Sequence, residues 1–142
     1  MNHKKIADQL IKHEGLQLKP YHCPAGKLTI GVGRNLEDKG ITEKEAVMML
    51  ENDIQEYLED LKTIFQAFDL LPESVQQVLV DMRFNMGSKG FRSFKKMIRA
   101  VKNLDFNQAA LEMKDSAWYS QVGQRAETLM KMMKEAQHTK SP

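Results

Sequence analysis

His13-Glu14-Gly15-Leu16-Gln17-Leu18-Lys19-Pro20-Tyr21-His22-Cys23-Pro24-Ala25-Gly26-Lys27-Leu28-Thr29-Ile30-Gly31-Val32-Gly33 is the stretch where the chain changes its period. Before it, Ile6, Leu10 and Ile11 share one side of a helical wheel. Asn2 reads as the N-cap of that helix and Gly15 as its stop. Glu14 then occupies the last turn, at the negative end of the helix dipole. From Leu16 the period becomes two. Leu28, Ile30 and Val32 alternate with Thr29 and Gly31, the pattern of a half-buried strand. Cys23-Pro24-Ala25-Gly26 reads as a turn, so a small antiparallel hairpin or three-stranded sheet is expected across roughly 17–35. Gly31 and Gly33 weaken a strand and mark a tight bend or the close approach of another group. By alternation the Thr29 hydroxyl points away from the layer formed by Leu28, Ile30 and Val32.

The remainder reads as helices. Thr42-Glu43-Lys44-Glu45 is a capping box that opens a long helix, whose apolar spacing from Ala46 and Val47 to Phe65 and Phe68 carries it to about 68. Pro72 fits the first position of the next helix, which Asn85-Met86-Gly87 ends. Ser93, Asp105 and Gln124 are expected to open three more. The polar tail from Gln137 to Pro142 is expected to fray. The fold class that follows is α+β, mainly helical. It is read as one domain over 1–142, with a small antiparallel sheet lobe at about 14–40, a long connecting helix at about 43–68 and a helical lobe at about 70–137.

Composition narrows the function. The 142 residues are 42% hydrophobic and 28% charged, an ordinary globular balance that buries a core without staples. The ten methionines read as packing filler. A net charge of +2 favours an anionic partner, but no run of five like charges forms a basic arm or the stripe of a nucleic-acid reader. The single cysteine, Cys23, excludes an internal disulfide. No apolar stretch approaches the roughly 20 residues of a membrane span, and Met1 to Leu10 lacks the apolar segment of an export signal. His3, His13, His22 and His138 lack the helical spacing of a metal pair, so no metal site is expected.

Glu14, Cys23 and Thr29 are the candidates for chemistry. Hydrolysis of a glycosidic bond needs a proton donor for the leaving oxygen and a group that places water on the opposite face of the sugar. Glu14 supplies the first requirement, and Cys23 with Thr29 the second. The same residue types also fit a solvated surface acid, a small buried thiol and a strand-forming threonine.

His13-Glu14-Gly15, Tyr21, Cys23, Gly26 and Leu28 to Gly33 together resemble the opening of the phage-type lysozymes, the glycoside hydrolase family 24 endolysins. Their pattern is Glu, eight residues, Asp or Cys, five residues, Thr. Further along, Phe84-Asn85-Met86-Gly87, Ala109-Ala110, Trp118-Tyr119 and Arg125-Ala126 follow in that family's order, so the resemblance spans roughly 3–136. It implies a lysozyme-like two-lobe fold joined by a long helix. It also implies cleavage of the β-1,4 bond between N-acetylmuramic acid and N-acetylglucosamine, with neither metal nor cofactor. Glu14 matches the general acid, Thr29 the residue that helps place water, Asn85 a position in the cleft and Arg125 an arginine near the acid. Cys23 stands where many members have the second catalytic Asp. A thiol cannot act as a carboxylate nucleophile, so single displacement with inversion is the expected course.

Bacterial peptidoglycan is the expected partner of a monomer that binds no nucleic acid and has no stable membrane association. Such an enzyme is expected to stay in the host cytoplasm until a holin admits it to the wall. A lytic transglycosylase, or a wall-binding module without catalysis, remains the alternative.

Overall fold

In the computed structural model, which describes residues 1–139, Asn2 opens the chain as expected. Its side-chain oxygen accepts the Lys5 N–H at 3.1 Å, capping helix α1, His3–Glu14. Gly15, with φ 81°, closes the helix by returning its N–H to the Ile11 carbonyl at 2.7 Å. The chain then runs through β1 (Gln17–His22), β2 (Leu28–Gly31) and β3 (Arg34–Asn35), an antiparallel sheet in the order β1-β2-β3. Cys23 to Lys27 form the β1–β2 turn, with Gly26 N–H on the Cys23 carbonyl at 2.8 Å. Tyr21 pairs with Thr29 and Gln17 with Gly31, so four steps along β1 match two along β2. The bulge that absorbs the difference draws the ends of β1 together.

The chain divides into two compact units, one over Met1–Leu50 and one beginning at Glu51. Helix α2, Glu43–Ile64, runs through that boundary. Its capping box forms as read: Glu45 N–H reaches Thr42 Oγ1 at 3.1 Å, and Thr42 N–H reaches Glu45 Oε1 at 2.9 Å. Two expectations change. The apolar spacing marks faces that are not buried: α1 contains no buried residue, and Val47 to Leu50 on α2 are exposed. Periodicity reports amphipathicity, not what covers it. The helix also stops at Ile64, not near 68. Pro72 holds the preceding Leu71 extended, at ψ 152°, so the chain must unwind first. It does so through a 3₁₀ turn at Phe68–Leu70 that still buries Phe65, Phe68 and Leu71.

The second unit holds the core. Helix α3 spans Glu73–Arg92, with Pro72 one place earlier than read, as its N-cap. The expected break at Gly87 is real: φ 76° and ψ 173° interrupt the helix, and the short segment beyond it buries Phe91. Then come α4 (Lys95–Lys102), α5 (Phe106–Lys114), α6 (Ala117–Val122) and α7 (Gln124–Thr139). Val75, Val78 and Leu79 of α3, Val101 of α4, Phe106 and Ala109 of α5 and Ala126 of α7 are fully buried. Met82, Met97, Met113 and Met133 fill the spaces between these helices, the packing role expected of methionine.

Three end signals differ from the sequence reading. Ser93 does not cap α4; its hydroxyl turns back to the Gly90 carbonyl at 2.6 Å, and Phe94 occupies the N-cap. Ser116 caps α6, a short helix not foreseen. Gln137 is not frayed, because its side-chain oxygen accepts the Phe106 N–H at 2.7 Å and caps α5 from α7. Helix α7 continues to Thr139, and residues 140–142 of the expected tail lie outside the described residues.

One polar knot ties α2 to α3. Asp60 accepts from Arg83 Nε at 2.7 Å and from Arg92 Nη2, while Arg83 lies 4.8 Å from the Tyr57 ring centre. Burial pushes the Asp60 carboxyl up, but hydrogen bonds from Arg83, Ser88 and Arg92 and the Arg92 charge outweigh it and hold the carboxyl below its ordinary value. The Asp60 side chain is 18% exposed and that of Arg83 11%, so solvent screens this pair poorly. A depressed carboxylate stabilises fully above its unfolded value, about 3.9, and loses that contribution as pH falls through the lower folded value. Asp60→Asn is therefore expected to cost about 2–4 kcal/mol at pH 7. In urea melts the gap from wild type should narrow at pH 3 and below. An equal gap at both pH values would exclude the charge as its source.

Candidate functional site

Glu14 is the last residue of α1, and Gly15 turns the chain away from it into β1. Its carboxyl lies beside the β2–β3 turn, Gly31-Val32-Gly33. A Cβ on Gly33 would stand 3.0 Å from Glu14 Oε2, 3.3 Å from Cδ and 3.4 Å from Cγ. The close approach that the glycine spacing suggested is thus made by the candidate acid. Glu14 itself is exposed.

At the other end of the same sheet, Thr29 and Cys23 meet. Thr29 alternates away from Leu28 and Ile30 as expected, but the alternation reading anticipated an apolar buried side and obtained the reverse. Thr29 is 3% exposed, whereas Leu28 and Ile30 are half-buried and Val32 is exposed. A buried hydroxyl needs partners, and Thr29 Oγ1 donates to the Lys27 carbonyl at 2.8 Å. Cys23 is half-buried and therefore the more accessible of the two. The Lys27 backbone N–H is the main cause that lowers the Cys23 thiol below its ordinary value. Partial desolvation opposes it, while the Ala25 N–H, the Thr29 hydroxyl and the Cys23 amide add to the lowering. With one proton, the Thr29 hydroxyl serves either the Lys27 carbonyl or a Cys23 thiolate.

The bulge in β1 decides how far apart these groups stand along the sheet. Gln17, three residues after Glu14, faces Gly31, and Tyr21, two before Cys23, faces Thr29. Two steps of β2 span about 7 Å at roughly 3.3 Å per residue. An unbulged β1 would separate the same residues by twice as much.

Arg34 donates from Nη1 to Glu45 Oε1 at 2.8 Å and to the Gly40 carbonyl at 3.3 Å. The hydrogen bond from Arg34 and then that from the Thr42 N–H bring the Glu45 carboxyl to about 2. Glu45 thus serves its own helix cap and the strand that leaves Gly33.

Asn85 and Arg125 belong to the second unit, and there they share one cluster. Asn85 Oδ1 accepts the Trp118 indole N–H at 2.9 Å, which leaves the amide donors of this exposed residue outward. Trp118 is buried and edge-on to Phe94 at 5.9 Å. Arg125, at the start of α7, donates from Nε to Asp81 Oδ1 at 2.7 Å and lies 5.9 Å from the Phe84 ring centre. Asp81, Phe84 and Asn85 fall on one face of α3 by their i, i+3, i+4 spacing. Asp81 escaped the sequence reading, because its partner lies 44 residues away.

A sequence profile of the phage lysozyme family matches residues 11–136. Pre-baseplate central spike protein Gp5 of Enterobacteria phage T4 is 28% identical over 149 aligned residues, which take in 85% of this chain and 26% of that protein. The chain thus spans about a quarter of that relative's length. "Probable T4-type lysozyme 2" of Dictyostelium discoideum is 24% identical, over 85% of this chain and 88% of that protein. The endolysin of Acyrthosiphon pisum secondary endosymbiont phage 1 is 29% identical, over 71% of this chain and 69% of its own.

The Cys23 surroundings make a direct expectation. Alkylation by iodoacetamide follows the thiolate fraction, so its rate should rise with pH around a midpoint below the free-thiol value of about 8.5. Thr29→Val removes one of the donors and should move that midpoint upward. A wild-type midpoint at or above the free-thiol value would contradict the donor geometry.

Proposed function

Because the chain belongs to the phage lysozyme family, we propose that it is an inverting muramidase. It would cut the β-1,4 bond between N-acetylmuramic acid and N-acetylglucosamine of bacterial peptidoglycan. The observation that carries this reading is the Glu14 carboxyl, at the end of α1, lying against Gly33 at one end of a bulged three-stranded sheet that holds a hydrogen-bonded thiol and hydroxyl, Cys23 and Thr29, towards the other.

In this mechanism Glu14 gives its proton to the glycosidic oxygen as the bond from that oxygen to the anomeric carbon breaks. A water held by Cys23, with Thr29 behind it, forms the new bond to that carbon from the opposite face. The lowered thiol offers a thiolate to take the water's proton, which solvent then removes as Glu14 is reprotonated. Thr29 is too buried to be the principal contact of that water, so it acts by orienting Cys23. Asn85, whose oxygen is committed to Trp118, presents amide donors suited to the acetamido and hydroxyl oxygens of the glycan. Arg125 supplies a cation already oriented by Asp81. The wider role is lysis of the host, with passage from the host cytoplasm to the wall after a holin opens the membrane. The resemblance to an endolysin supports that part.

Glu14→Gln keeps the shape and removes the transferable proton. A folded variant is expected to lose about 10²–10⁴-fold in the clearing of permeabilised cells. A rate near wild type would remove Glu14 from the mechanism.

The stereochemistry is a separate test. NMR of the first products from a defined β-linked oligosaccharide should show the α anomer, as single displacement requires. A β anomer formed first would mean double displacement, and an anhydro end would mean a transglycosylase.

A further inference from the structure

We infer that Gly33 is a positioning residue for the Glu14 carboxyl, and that its missing side chain is what sets where the acid's proton is presented. The inference rests on the reading of Glu14 as the acid. Three atoms of the Glu14 side chain lie within 3.4 Å of where a Cβ of residue 33 would be. A methyl there forces either the turn or the carboxyl to move.

The turn is the better anchored of the two. Gly31 is paired with Gln17 of β1, and Ile30 with Arg34 across the hairpin. Arg34, immediately after Gly33, is held by Glu45 at 2.8 Å and by the Gly40 carbonyl at 3.3 Å. Glu45 is in turn fixed to the Thr42 N–H by the capping box of α2. The Glu14 carboxyl, by contrast, is the exposed end of a flexible side chain. An added methyl therefore displaces the carboxyl, by a few tenths of an ångström or into another rotamer. Catalysis is sensitive to such a displacement, because the proton must meet one oxygen of a bound sugar.

The same turn supplies its own control. Gly31 has φ 71° and Gly33 has φ 65°, so alanine is strained at both positions. Nothing lies within 4 Å of a Cβ at Gly31, whereas Glu14 meets one at Gly33. Backbone strain is shared by the two sites, and contact with the acid is not.

The experiment compares Gly33→Ala and Gly31→Ala with wild type on soluble peptidoglycan strands. Rates are corrected for the folded fraction that circular dichroism gives at the assay temperature. Gly33→Asn carries the same Cβ and tolerates positive φ better, and it is assayed in case the alanine variant folds poorly. The expected result is a similar loss of melting temperature for the two alanine variants. Only the residue-33 variants should lose kcat, by about tenfold or more, with KM within about threefold and the alkaline limb of the rate profile displaced. Gly31→Ala should keep both kinetic constants and the profile. If Gly33→Ala and Gly33→Asn match Gly31→Ala in kcat and pH profile while Glu14→Gln is inactive, the acid stands and the positioning role of Gly33 falls. A fully active Glu14→Gln instead overturns the reading beneath it.

Discussion

The carboxyl of Glu14 occupies the space that a side chain on residue 33 would fill, and much of the first unit serves that arrangement. A positive φ at Gly31 and Gly33 folds β2 back into β3 within a turn of three residues. Gly15 ends α1 so that its last residue meets this turn. The bulge in β1 shortens the sheet, so that Gln17 and Tyr21 stand about 7 Å apart along it instead of about twice that. The Arg34–Glu45 pair ties the far side of the turn to the cap of α2. These devices set the backbone around one exposed carboxyl, and of the two turn glycines only Gly33 lies against it.

Cys23 shows how a turn tunes a side chain. A thiol alone ionises too weakly near neutrality to accept a proton well. The β1–β2 turn compensates by aiming the N–H groups of Lys27 and Ala25 at the sulfur, with the Thr29 hydroxyl beside them. A tight turn presents such a set of donors without long or flexible side chains. The thiol is thereby lowered below its ordinary value, and the one proton of the buried hydroxyl always has an acceptor, the Lys27 carbonyl or the thiolate.

The second unit solves a different problem. Its helices bury a continuous apolar core in which four methionines fill irregular spaces, and its polar interactions run between elements distant in sequence. Asp60 joins α2 to both segments of α3, Gln137 of α7 caps α5, and Asp81 orients Arg125 at the start of α7. Each satisfies a charge or a helix end that would otherwise depend on water. The Asp81–Arg125 and Asn85–Trp118 contacts leave one arginine and one amide oriented on a face of α3.

What the sequence determined by itself is what a few neighbouring residues decide. The Asn2, Thr42 and Asp105 caps, the Gly15 stop and the Cys23–Gly26 turn all depend on bonds that close within about four residues, and the break at Gly87 on the glycine itself. The strand centred on Thr29 was legible from its alternation, and the pattern at Glu14, Cys23 and Thr29 from its spacing. Tertiary structure alone decided which apolar faces are covered, leaving α1 and the first half of α2 exposed. It also decided that Thr29 is buried and that Gln137 is a cap. Arg34 finds Glu45 across 11 residues, Asn85 finds Trp118 across 33, and Arg125 finds Asp81 across 44. No local propensity encodes such separations, because these partners meet only when the packing of whole elements brings them within hydrogen-bonding distance.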